Sequence, residues 1–153
     1  MFRKMSLFGM LAAVLTVLSS GAVAQGQAAF ARKSLQDMTS FAFYSKSGVF
    51  RVYKLGKVIE EKADNSLRNG SLRFLILGPG QARIIGNNGA GKVKLYRTKS
   101  SVSFVETAVL GDQHIFTVEN QWDEKAGGYK ATYLRTVTFG DEVWRTVYRG
   151  HAK

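Results

Sequence analysis

Glu106 and Glu119 stand on either side of a Gly111-Asp112 pair. Two carboxylates brought together by a hairpin are the residue types that perform general acid and base chemistry once burial raises the pKa of one of them. A turn centred on Gly111-Asp112 places them on adjacent strands within a few residues of each other, although ion pairing with nearby Lys and Arg is the commoner use of such groups. The two histidines, His114 and His151, stand alone, with neither a His-x-x-x-His spacing nor an acid-rich calcium loop, so the sequence offers no metal site. His114, just after the turn, reads as a surface hairpin residue, and His151, three residues from the end, as solvated. There is no Gly-x-Ser-x-Gly elbow to present a serine nucleophile. The expectation is a protein that is not an enzyme and uses no cofactor.

Gly86-Asn87-Asn88-Gly89-Ala90-Gly91-Lys92 has the glycine and lysine spacing of a phosphate-binding loop. Such a loop also needs Ser or Thr after the Lys to hold magnesium, and a helix whose N-terminus faces the phosphates. Val93 occupies the first position, and Val93 to Arg97 reads as a strand. No nucleotide is therefore expected, and the segment reads as a turn between strands whose free amides and Lys92 are able to hold some other anion. Most of the aromatic residues must be core. Trp122, Tyr129 and Trp144 lie beside turns, where a ring at a barrel mouth stacks on a ligand. With Lys92 and Lys94 they form the expected ligand-binding set.

These residues must be positioned by strands. From Phe41 onward short aromatic and β-branched runs alternate with Gly, Asn, Asp and Ser, the signature of strands and hairpins. The expected strands are Phe41 to Lys46, Val49 to Leu55, Leu72 to Leu77, Ala82 to Ile85, Lys92 to Arg97, Val102 to Thr107, His114 to Gln121, Tyr129 to Phe139 and Glu142 to Arg149. Asn69-Gly70, Gly111-Asp112, Gly127-Gly128 and Gly140-Asp141 suit tight reversals and argue for strands pairing in sequence order. Lys57 to Arg68 fits either a helical excursion or a strand end with a loop. Before the strands, Ala28 to Met38 carries Phe30, Leu35 and Met38 on one stripe and predicts a short helix. So many short strands expose edges unless the sheet closes. The expectation is an all-β antiparallel meander closed as an up-and-down barrel, with a β-sandwich as the alternative. Val93 and Leu95, and Phe116 and Val118, supply its inward faces.

Residues 1–24 carry Arg3 and Lys4, an apolar run from Leu7 to Leu18, and Ala22-Val23-Ala24 before Gln25. That order is the pattern of a cleavable secretory signal, and the run is short of the roughly 20 residues that span a bilayer. The expected working domain is therefore residues 25–153, with no transmembrane segment after cleavage, acting in the periplasm or outside the cell. The chain has no cysteine, which excludes disulfides and thiolate metal sites. The leader holds two of the 22 basic residues and none of the 11 acidic ones, leaving the remainder at +9. A field of that sign favours anionic partners.

Val102-Ser103-Phe104-Val105-Glu106 and the Thr136 to Trp144 hairpin resemble small secreted bacterial proteins with a lipocalin-like, calycin-type barrel. The resemblance covers about half the chain and implies the architecture alone, because the Gly-x-Trp of typical lipocalins is missing near the first strand. Together these readings predict a barrel that binds a lipophilic or anionic amphiphilic ligand in its interior. The alternative is an interaction protein, an inhibitor or host-directed factor, docking on an acidic protein or polysaccharide of the envelope or host.

Overall fold

Apolar side chains recur at every second position in the strands that build the core. In Ser101–Thr107 the buried residues are Val102, Phe104 and Glu106, and in Gln113–Asp123 they are His114, Phe116 and Val118. Successive side chains on a strand face opposite ways, so each run commits one face inward. The computed structural model describes residues 33–86, 91–107 and 111–153. The leader, the first part of the expected helix and the centre of the glycine-rich loop at residues 87–90 lie outside the described residues.

The described strands are β1 (Ser40–Lys54), β2 (Lys57–Ala63), β3 (Arg73–Gly78), β4 (Gln81–Ile85), β5 (Lys92–Arg97), β6 (Ser101–Thr107), β7 (Gln113–Asp123), β8 (Gly128–Phe139) and β9 (Glu142–Ala152). Strands β3 to β9 pair antiparallel in sequence order, and β1 closes the ring by pairing with β3 on one edge and β9 on the other. The result is a closed eight-stranded antiparallel up-and-down barrel with one extra strand. The first residues of β1 take β3 while its second half takes β2 on the same edge.

Several expectations change in the structure. The two runs around Ser47 are one strand, β1, continued through a bulge between Ser45 and Ser47. The segment that fitted helix or strand forms β2. Asn69-Gly70 does not join paired neighbours, because β2 and β3 both lie against β1. The expected N-terminal helix is reduced, among the described residues, to a 3-10 turn at Leu35–Asp37. The reason is tertiary: the barrel holds this segment through its carbonyls and one side-chain amide and buries Leu35. Arg97 donates to the carbonyls of Gln36 and Met38, Tyr129 Oη donates to the carbonyl of Lys33 at 2.8 Å, and Gln36 Nε2 donates to the carbonyl of Thr98 at 2.7 Å. These contacts tie residues 33–38 across one end of the barrel as a strap, with Leu35 fully buried.

The interior is occupied by rings. Phe41, Phe43, Phe74, Phe104 and Phe116 are all fully buried. Phe74 stacks on Phe116 with centroids 3.6 Å apart, and Phe41, Phe43 and Phe74 pack against Phe104 or Phe116 at 5.4 to 5.8 Å. Fully burying each ring contributes about 1.5–3 kcal/mol. The end opposite the strap carries the β1–β2 and β8–β9 hairpins. No described helix is long and apolar enough to cross a membrane.

Candidate functional site: a basic groove between two bulges

The five residues expected to bind a ligand do not meet. Trp122 and Tyr129 face each other across β7 and β8 at the strap end, with rings edge to face at 5.1 Å. Tyr129 is 1% exposed. Trp144 pairs with Val137 at the hairpin end, while Tyr129 pairs with Ala152, eight residues further along β9 and thus about 27 Å away. Lys92 and Lys94 are exposed on β5, where the alternate residues Val93 and Leu95 pack against the core.

The two carboxylates that opened the sequence reading are also separated. Glu106 lies opposite His114 in the β6–β7 register, and Glu119 lies opposite Ser101 at the other end of the same pair. Glu106 is buried and Glu119 exposed. His114, expected at the surface, is buried beside Glu106 where the barrel interior meets the hairpin end. Its Nδ1 lies 2.6 Å from Tyr133 Oη and its Nε2 3.4 Å from Asp112 Oδ1, and Asp112 accepts two nitrogens of Arg135. Burial pushes the Tyr133 phenol well above its ordinary pKa, so it stays protonated and is available to donate to Nδ1. Glu106 Oε1 accepts from the Gly91 amide at 3.1 Å. Tyr133 engages one ring nitrogen of His114, Asp112 lies near the other, and this polar layer caps the phenylalanine core.

An open concavity forms elsewhere, on the outer surface near the strap end, and two bulges make it. In β1, Ser45 pairs with Gly150 and Ser47 with Arg149, so Lys46 is an extra residue. In β7, Val118 pairs with Ala131 and Trp122 with Tyr129, so Glu119 to Gln121 face the single residue Lys130. Extra residues make a strand bend away from its partner. The bulged strands form the walls, and the regular β8–β9 pair between them forms the floor with Lys130, Thr132, Arg149 and His151.

Two adjoining hollows of about 300 and 320 Å³ share Lys46, Asp123 and His151. Around them stand the cations Lys46, Lys125, Lys130, Arg149 and Lys153, against the carboxylates Glu119 and Asp123. None of the five cations makes an ion pair with a carboxylate among the described residues. Asp123 has a structural duty. Its Oδ1 accepts the Ala126 amide at 3.0 Å and its Oδ2 lies 3.0 Å from His151 Nε2. The Ala126 bond, and then His151, hold its carboxyl below the usual range. Asp123 is therefore ionised at neutral pH and accepts the Nε2 proton of His151, whose ring it fixes on the groove floor. His151, expected to be solvated, is half-buried here. What remains is a concave surface with excess positive charge, suited to attract and hold an anion.

No protein-family model, curated protein or solved structure matches the chain. The groove must be read from its own chemistry. Sequence reasoning missed it because its residues, from Lys46 to Lys153, are scattered along the chain. The one available signal was the dense sequence of basic residues from Lys125 to Lys153 in strands with few acids.

Proposed function

We propose that this chain is an exported, non-enzymatic binding barrel that holds an anionic ligand of the cell envelope, a phosphate- or carboxylate-bearing headgroup or glycan, in the groove between the β1 and β7 bulges. The observation that carries this reading is the pair of hollows joined at Lys46, Asp123 and His151, with five cations that have no carboxylate ion-pair partner among the described residues, around two carboxylates. Export rests on the leader pattern of residues 1–24. The packed phenylalanines move the expected ligand from the barrel interior to its outer surface, and they favour the charged part of an amphiphile over its apolar part. An acidic protein or polysaccharide segment is recognised by the same groove chemistry.

The test is calorimetric titration with a phosphorylated lipid headgroup and with an acidic oligosaccharide, at low and physiological ionic strength. Binding of either is expected, weakening with salt because solvent-exposed charges are screened. Lys130→Glu and Arg149→Glu should each weaken it by about tenfold, the effect of losing a charge-assisted contact of roughly 1.5 kcal/mol. Equal affinity in both variants would remove the groove from the reading.

A further inference from the structure

The hairpin end of the barrel carries apolar side chains that folding leaves in water. The β1–β2 and β8–β9 hairpins lie side by side there, joined through the Lys54–Glu142 pair of the β1–β9 register. Leu55 at the first tip is 85% exposed, Phe139 at the second 56%, and Trp144 beside it 40%. Val58 and Ile59 on β2 are about half exposed. Phe139 and Trp144 pack at 5.0 Å, and Phe50 supports Trp144 from below at 5.8 Å. Trp144 Nε1 donates to Glu142 at 3.1 Å, so its polar edge is satisfied while its apolar faces are presented outward.

Leu55 supplies a second, independent observation. It has φ +48°, a left-handed conformation that tight turns reserve for Gly, Asn or Asp. A large apolar residue held in that conformation and almost wholly exposed serves neither the turn nor the core. The charges fit the same purpose. Glu60 and Glu61 pair with Lys62 and Arg51, and Asp141 and Glu142 share Lys54, whereas Lys57 and Arg145 have no carboxylate partner among the described residues, which leaves these tips with a small positive excess.

From these observations we infer that the paired hairpin tips are a membrane-contact surface. Leu55 and Phe139 enter the headgroup region of an anionic bilayer, Trp144 lies at its boundary, and Lys57 and Arg145 face the lipid phosphates. Apolar tips above basic residues are the composition by which a domain rests on a membrane without spanning it, and an indole suits the interface because one edge is polar and its faces are not. The inference does not rest on the groove, which lies towards the strap end.

The experiment uses the protein in a Trp122→Phe background, so that Trp144 is the only tryptophan, with phosphatidylcholine–phosphatidylglycerol vesicles carrying brominated acyl chains. Quenching of Trp144 is expected. Leu55→Asn keeps a residue that tolerates left-handed φ, so its thermal midpoint should equal or exceed that of the background. Its vesicle affinity should fall about tenfold, as expected when one leucine no longer leaves water. Phe139→Ser should act in the same direction, and Arg83→Glu, an exposed charge on β4 away from both the tips and the groove, should leave quenching unchanged. The inference is overturned by absence of quenching, by quenching that Leu55→Asn does not alter, or by a loss as large in Arg83→Glu, which would assign vesicle attachment to overall charge. Self-association without quenching would overturn it in favour of a second copy as the occupant.

Discussion

Tyr133 and His114 on β8 and β7, and Arg135 and Asp112 beside them, form two hydrogen-bonded pairs that meet where His114 Nε2 lies 3.4 Å from Asp112. The phenol reaches Nδ1 at 2.6 Å, the ring stacks on Tyr133 at 5.9 Å, and Asp112 is held by Arg135 at 2.8 Å. A buried polar atom that loses its partner carries the desolvation cost without compensation. Tyr133→Phe should therefore lower stability by about 1–3 kcal/mol although the ring is kept, read from urea unfolding midpoints. Glu106 shares this layer through Gly91. Of the two carboxylates that looked reactive in the sequence, Glu106 lies buried in this layer at the top of the core and Glu119 is exposed at the other end of the strand pair.

The decisive feature of β1 is its bulge. At that point β1 and β9 approach so closely that a Cβ on Gly150 would collide with the carbonyl of Tyr44 and crowd Ser45, so only glycine lets the extra Lys46 be accommodated without moving the backbone. Gly150→Ala should force the two strands apart at the groove floor. We expect a loss of about 1–3 kcal/mol, the range for overpacking a close contact, together with weaker binding of the anion used for calorimetry. An unchanged denaturation midpoint with intact binding would show that the bulge tolerates a side chain. At the same end the strap is held by the barrel, since Arg97 and Tyr129 donate to the carbonyls of Gln36, Met38 and Lys33, and the Thr98 carbonyl accepts the Gln36 side-chain amide.

For the whole molecule, acid sensitivity follows from carboxylates that folding stabilises in their charged form. Burial opposes ionisation of Asp64, but hydrogen bonds from the Ser66 side chain and amide and from Tyr148 outweigh it, and its pKa is lowered. Asp123 is lowered by the Ala126 amide and by His151. A group with a depressed folded pKa adds stability above its unfolded value, about 3.9 for aspartate, and loses it as pH falls through the folded value. Asp64→Asn with Asp123→Asn should therefore lower the melting temperature at neutral pH and flatten its decline below about pH 4. Melting curves across an acid series, in both proteins, check this. A decline of equal steepness would place the acid sensitivity elsewhere.

Alternating polarity and turn-forming pairs were enough to give an all-β chain, most strand positions, the inward faces of β5 and β7, and closure into a barrel, because these depend on side-chain period and local turn geometry. The reading of Val93 as a strand residue was also local, and it stands in β5. Which residues come together was decided by tertiary structure. Register sent Glu119 to Ser101 and Glu106 to His114. Closure buried His114 and separated Trp144 from Trp122 and Tyr129, and the filled interior turned aromatic abundance into packing. The groove depends on extra residues in β1 and β7, and an extra residue is defined only against the strand it pairs with. A single strand's sequence has no partner from which to count, so the bulges and the basic surface between them appear only once the barrel is closed.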